Sequence, residues 1–298
     1  MLTAVAILVD GLVYASWLFL VALGLTLICG VMRILNVAHG SFYAFGAYVS
    51  ATAIGIYFDA GWEPMGSFLL IGLSAVAVGL ILGLLLERGL LRFMYGQDEV
   101  VIVLVTFAAF LIFEDVILNV WGGSPYFAYQ PYSLFGNTDM GGLFFSNYDL
   151  LLIVFAGLLG VVVWWALNRT RNGRLLLAVI HDREMATAFG INVTAFFTIT
   201  FVIGAMLGAL GGAVTAPKIS VTPGIGVEVI VLAFAIVVIG GLGSIGGAVI
   251  GALTVGLSRA AAVHLLPTVE LFVIYAVMSL VLVFRPQGLF SRAEARKI

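Results

Sequence analysis

With 298 residues, 63% of them apolar and only 9% charged, the chain cannot give itself the polar surface that a water-soluble domain of this length requires. Its formal charge of -2 is too small to point to nucleic acid or an acidic surface as a partner. Several apolar runs reach the roughly 20 residues that carry a helix across about 30 Å of hydrocarbon, so the expected fold class is all-α: a polytopic membrane helix bundle forming a single transmembrane domain over 1–298.

The first run, near Val5 to Cys29, has no basic residue ahead of it and no small-residue cleavage pattern after it. It is read as the first transmembrane helix, not as a removable signal peptide. Cys29 is the single cysteine, which excludes an intrachain disulfide or a cysteine-based metal cluster and leaves packing as its role. Further full spans are expected near 38 to 58, 67 to 87, 100 to 121, 149 to 168, 195 to 215 and 269 to 285, about seven in all. Asp149, Glu228 and Glu270 stand where acidic residues favour a helix start. Between 227 and 265 the chain is apolar for longer than one span, yet it is interrupted by the glycine-rich run Gly240 to Gly247. A glycine-broken or re-entrant helix pair, entered and left on the external side, is expected there.

Basic residues give the orientation, because Lys and Arg near helix ends are retained in the cytoplasm. Arg88 and Arg92 follow the third span, Arg169, Arg171, Arg174 and Arg183 the fifth, and Arg285, Arg292, Arg296 and Lys297 the last, whereas the loop from Gly122 to Tyr148 has none. This places the N-terminus outside, the C-terminus in the cytoplasm of a bacterial-type inner membrane, and a long external loop at about 122–148. Lys218 and Arg259 remain as external exceptions. The aromatic external loop suits an interfacial belt, with a docking surface for a binding protein as the other reading.

The basic cytoplasmic loop at about 169–194 contains Glu184-Met185-Ala186, with Gly190 following after three residues. This resembles the EAA loop of ABC importer permeases, which implies a short coupling helix seated on an ATPase. Glu184 would offer a charge, Ala186 close packing, and Gly190 a left-handed helix end. The other reading is an ordinary charged loop. Two further stretches, Leu35-Asn36-Val37-Ala38-His39-Gly40-Ser41-Phe42 leading into Gly46-Ala47-Tyr48, and Gly240 to Gly251, join Gly173-Arg174, Gly190-Ile191-Asn192-Val193 and the closing Arg285-Pro286-Gln287-Gly288-Leu289-Phe290. Together they resemble the branched-chain amino acid permease family of LivH type over most of the chain. The resemblance implies an importer in which this subunit works with a second related permease, two cytoplasmic ATPase subunits and an external solute-binding protein. No Gly-Lys-Ser or Gly-Lys-Thr phosphate loop occurs, so no cofactor is expected on this chain and ATP would be used by the partner subunits.

Candidate solute contacts are Asn36, His39 and Ser41 beside a helix start, with a structural histidine as the other reading of His39, and Gly241, Gly243 and Ser244 in the glycine break. In that break, exposed amides would suit a carboxylate, or the glycines would serve only close helix crossing. Glu114 and Asp115 lie within an apolar span, where a carboxylate needs water, a cation or a partner. They would attract a substrate ammonium, meet the paired permease, or sit wetted at the outer interface, with Asn119 sharing one face with Asp115. The alternative function is a gradient-driven secondary transporter using these carboxylates or His39. Scattered His39, His181 and His264 supply neither a metal cluster nor an oriented nucleophile, so no metal site and no catalytic residue are expected.

Overall fold

A computed structural model of the chain describes residues 2–285 and 287–290, except the side chain of Leu271. Pro286, Arg292, Arg296 and Lys297 lie outside the described residues. In chain order the helices are α1 (Leu2–Met32), α2 (His39–Asp59), α3 (Ser67–Gly89), α4 (Glu99–Trp121), a single turn α5 (Gln130–Ser133), α6 (Asn147–Arg169), α7 (Arg171–His181), α8 (Arg183–Ala188), α9 (Val193–Thr215), α10 (Ile225–Gly240), α11 (Ile245–Leu265) and α12 (Glu270–Phe284). Between α5 and α6 the strands β1 (Asn137–Asp139) and β2 (Phe144–Ser146) pair antiparallel, Asn137 opposite Ser146. The sequence reading did not contain this hairpin.

Among the described residues, seven helices are long and apolar enough to cross a membrane, and their number agrees with the sequence reading. One member differs. The expected span at 269 to 285 is α12, only 15 residues, whereas α11, the second limb of the glycine-broken pair, has 21 and qualifies in full. Glycine and alanine lower the hydropathy of α11 without shortening it. The turn between α10 and α11 packs on Gly30, near the end of α1, and faces α7 across a cavity, so the pair reaches the basic end of the bundle, α11 over a full span and α10 from mid-depth.

Helix α9 is the hub, packed against α1, α2 and α3 at once. It can do this because its inward positions carry little or no side chain. Gly204 meets Ile28 of α1, Gly208 meets His39 of α2, and Ala205 meets Gly83 of α3. A Cβ on Gly212 would collide with the main-chain oxygen of Tyr43, and one on Gly46 would collide with that of Ala209. Lipid tails are as apolar as leucine, so such close backbone approach, with its dispersion gain, replaces the hydrophobic effect as the force between helices. The outward faces of α4 and α6 expose Leu104, Phe107, Val154 and Leu158, which lipid or a second subunit can solvate.

The bundle has two distinct ends. At the hairpin end, Tyr126 and Val221 exchange backbone hydrogen bonds of 2.9 Å, tying the long loop to the segment after α9. Lys218 and Arg259, the two basic residues that depart from the charge pattern, are both neutralised here, Lys218 by Asp149 of α6 and Arg259 by Glu270 of α12 at 3.1 Å. At the opposite, basic end lie α7, α8 and the glycine break.

The packing and the ion pair each set expected stability changes. Gly212→Ala should lower stability by about 1–3 kcal/mol through overpacking, whereas Gly72→Ala, where an added Cβ meets nothing within 4 Å, should stay within about 1 kcal/mol. Thermal midpoints of the purified variants in detergent check this. Asp149→Asn should destabilise by about 1–3 kcal/mol by leaving the Lys218 ammonium, 16% exposed, without its counter-charge. Adding Lys218→Met to Asp149→Leu should restore most of the midpoint, because the pair is then replaced by apolar groups.

Candidate functional site

After Met32 the chain does not continue along the bundle axis but turns back into it. His39 Nε2 lies 3.0 Å from the carbonyl oxygen of Val21, about 16 Å back along α1 from Met32 at 1.5 Å per residue. The non-helical segment 33–38 covers that return, with Ile34, Asn36 and Ala38 buried and Arg33 and Leu35 exposed. Irregular backbone at such depth persists only where protein or a hydrated cavity satisfies it. Thr106 of α4 accepts from Val37 N at 3.2 Å, and Asn36 Oδ1 accepts from Ala38 N at 3.1 Å. Asn36 therefore forms a tight local turn ahead of α2, while Ser41 does no capping.

Asn36, His39 and Ser41 are all fully buried. The Asn36 amide nitrogen, His39 Nδ1 and Ser41 Oγ have no hydrogen-bond partner among the described residues, and Thr26 Oγ1 and Tyr48 OH share that condition. An unpaired buried polar atom costs about 1–3 kcal/mol, so several along α1 and α2 are a tolerated expense of the kind found at functional sites.

The acidic pair of α4 is split by the 100° turn between successive helical residues. Asp115 faces outward and is exposed, with Asn119 beside it donating to the Asp115 main-chain oxygen at 2.8 Å. Glu114 turns inward. Its Oε2 accepts from Gly224 N at 3.1 Å, and its Oε1 faces Gly226, where a Cβ would lie 2.7 Å away. The carboxylate thus sits at the N-terminus of α10, where free amides and the helix dipole stabilise negative charge. Gly224 supplies that amide from a left-handed conformation, φ 87°. Neither Thr106 nor Gly224 was singled out in the sequence. A Thr in an apolar run and a Gly after Pro223 carry no mark of their distant partners.

Gly241, Gly243 and Ser244 stand apart from this cluster, at the basic end. Gly241 and Gly243 have positive φ, 98° and 76°, and a Cβ on Gly243 would come within 2.8 Å of Gly30 Cα. Ser244 Oγ accepts from Gly247 N at 3.0 Å and caps α11. The last carbonyls of α10 are also engaged, since Leu289 N donates to Ile239 O at 2.8 Å and Phe290 N to Gly240 O at 3.0 Å. The six candidates of the solute path thus fall into two groups at different depths.

The 169–194 loop folds into α7 and α8. Asp182 Oδ1 accepts from Met185 N at 2.9 Å and starts α8. Gly190, at φ 78°, ends it, with Ile191 N returning to Ala186 O at 3.1 Å. Ala186 is buried, whereas Glu184, Met185 and Phe189 are exposed. Leu176, Leu177 and Ile180 of α7 line a cavity of about 180 Å³ with Gly30, Gly243 and Ser244, so the amphipathic α7, packed on α1 and α6, faces the glycine break across it. The guanidinium of Arg183 stacks 5.1 Å from the Phe197 ring centre, and Tyr95 packs on the same ring while donating to Glu87 at 2.8 Å. Burial, then the Glu87 hydrogen bond and charge, push the Tyr95 phenol upward and keep it a donor.

Comparison with known proteins agrees with this architecture. Residues 7–282 match the model of the family described as branched-chain amino acid transport system / permease component. The chain is 28% identical to the high-affinity branched-chain amino acid transport system permease protein BraD of Pseudomonas aeruginosa, over 98% of this chain and 97% of that one. It is 29% identical to LivH of Escherichia coli K12 and 30% to LivH of Salmonella typhimurium, in both cases over 97% of this chain and 96% of the relative. The match runs nearly end to end and takes in the returning segment, the glycine break and the α7–α8 module alike: this chain belongs to the branched-chain amino acid transport permease family.

Proposed function

We propose that this chain is the transmembrane permease subunit of an ATP-driven ABC importer for branched-chain amino acids or related small carboxylates and amides. The observation that carries this reading is the α7–α8 module. It offers an exposed Glu184 beside a buried Ala186, closes on the left-handed Gly190, and faces the glycine break through α7, which packs on α1 and α6. An ATPase that grips α8 would therefore act through α7 on α1 and α6 and on the cavity beside the glycine break. The hairpin end faces outside with the N-terminus, and the basic end faces the cytoplasm with the C-terminus. The partners are a second related permease, two cytoplasmic ATPases that bind and hydrolyse ATP, and an external solute-binding protein. Solute passes beside the segment of Asn36, His39 and Ser41, whose unpaired polar atoms supply hydrogen bonds at mid-depth.

Glu114 fits a structural position better than a proton-carrying one, because its carboxylate is held by the start of α10 and Asp115 faces away from it. This weighs against gradient-driven transport through the acidic pair.

The test is leucine uptake into proteoliposomes holding this chain, its companion permease and ATPases, with binding protein outside and ATP inside or absent. Uptake that requires ATP is expected, and uptake driven by a gradient without ATP would sink the reading. Glu184→Arg should reduce ATP-driven uptake by about tenfold or more, a loss of about 1.4 kcal/mol of coupling, at an unchanged thermal midpoint. Glu114→Gln keeps an acceptor for Gly224 N and should retain uptake within about threefold, whereas Glu114→Leu should destabilise the fold by about 1–3 kcal/mol.

A further inference from the structure

We propose that a cavity of about 260 Å³ at the hairpin end, between α1, α6, α11 and the segment after α9, is a binding site for a zwitterionic α-amino acid with an apolar side chain. The proposal rests on the import reading above and names a place where the solute is held within this chain.

The cavity carries charges of both signs at graded depth. At its mouth His264 Nε2 lies 2.7 Å from Asp10 Oδ2, with side-chain exposures of 28% and 50%. Deeper, Lys218 and Asp149 form an ion pair whose side chains are each 16% exposed. Tyr132 also holds Asp149, donating to Oδ2 at 2.8 Å. Arg259 on another wall bonds Glu270 and lies 4.2 Å over the Tyr14 ring centre. Lys218 and Arg259 each already have a carboxylate partner, so neither cation of the cavity stands uncompensated.

Such a cavity discriminates by charge balance. An α-carboxylate that takes Lys218 as partner releases Asp149, and the adjacent α-ammonium of the same ligand can take up Asp149. A zwitterion inserted into the pair leaves both side chains neutralised. A simple carboxylate would strand Asp149 and a simple amine would strand Lys218, each at the cost of a poorly solvated unpaired charge. The remaining wall is apolar and aromatic. Val13 and Val263 line it, and Tyr14 and Trp17 meet edge to face at 5.2 Å. Together with Ala260, that surface gives an aliphatic side chain apolar contacts beside the ion pair. The volume admits a single small solute, below the usual range of sites for drug-sized ligands.

The experiment measures tritiated L-leucine binding to the purified full chain in nanodiscs by scintillation proximity, up to millimolar ligand. Saturable binding is expected, displaced by L-valine and not by isopentylamine or isocaproate at equal concentration. Val263→Phe, which fills the apolar wall and leaves every ion pair intact, should weaken binding by about tenfold or more. The double variant Lys218→Met with Asp149→Leu should do the same, with its thermal midpoint confirming that it folds. No saturable binding by the wild-type chain, binding that survives both changes, or displacement by the amine or the acid alone would overturn the proposal. ATP-dependent leucine uptake by the same wild-type chain in the full assembly separates the two readings. Uptake without a cavity effect removes only the cavity site, and no uptake removes the import reading as well.

Discussion

Close contact between backbones around α9 is the constraint on which the rest depends. Inside a membrane the helices gain nothing by hiding from lipid, so they associate only where atoms fit at short range. Gly204, Gly208 and Gly212 let α1 and α2 approach within carbonyl contact, and Ala205 brings in α3. Once these backbones are set, His39 is fixed against α1 and α9 together, and the depth at which α2 begins is fixed with it. The returning segment and its polar atoms are therefore a product of glycine packing several residues away.

Glycine does a different task at the basic end. There Gly241 and Gly243 break a long apolar run into two helices and bring the turn onto Gly30. The same residue type thus builds a rigid centre and a jointed edge. The joint lies beneath α7, the centre beside the unpaired side chains of α1 and α2, and α10 connects them from Gly240 at one end to Glu114 and Gly224 at the other. One helix of 16 residues thus links the joint to mid-depth.

Much of the fold was legible because hydropathy, basic loops and glycine runs are local signals. Six spans, the break at Gly240 to Gly247 and the module ending at Gly190 are all of that kind. What escaped depends on pairs distant in sequence. The returning segment Ile34 to Ala38 reads as apolar as a helix, and only the contact of His39 with Val21 shows that it retraces the bundle. Glu114 and Asp115 are neighbours in the chain, yet helical geometry sends one to α10 and the other to the outer surface. Lys218 and Arg259 violate a charge rule until their partners, Asp149 and Glu270, are seen beside them. The β1–β2 hairpin, with only three residues in each strand, is too short to produce an alternating pattern. Gly241, Gly243 and Ser244 lie at a different depth from Asn36 and His39, and composition carries no measure of depth.

The amides of Leu289 and Phe290 supply the final hydrogen bonds of α10, a helix made some fifty residues earlier in the chain. During synthesis the carbonyls of Ile239 and Gly240 must wait through α11 and α12 for those donors to emerge. The jointed edge therefore cannot mature as the chain is threaded into the membrane, and it is completed only when the tail folds back upon it. That surface is presented in finished form only by a chain translated past Phe290.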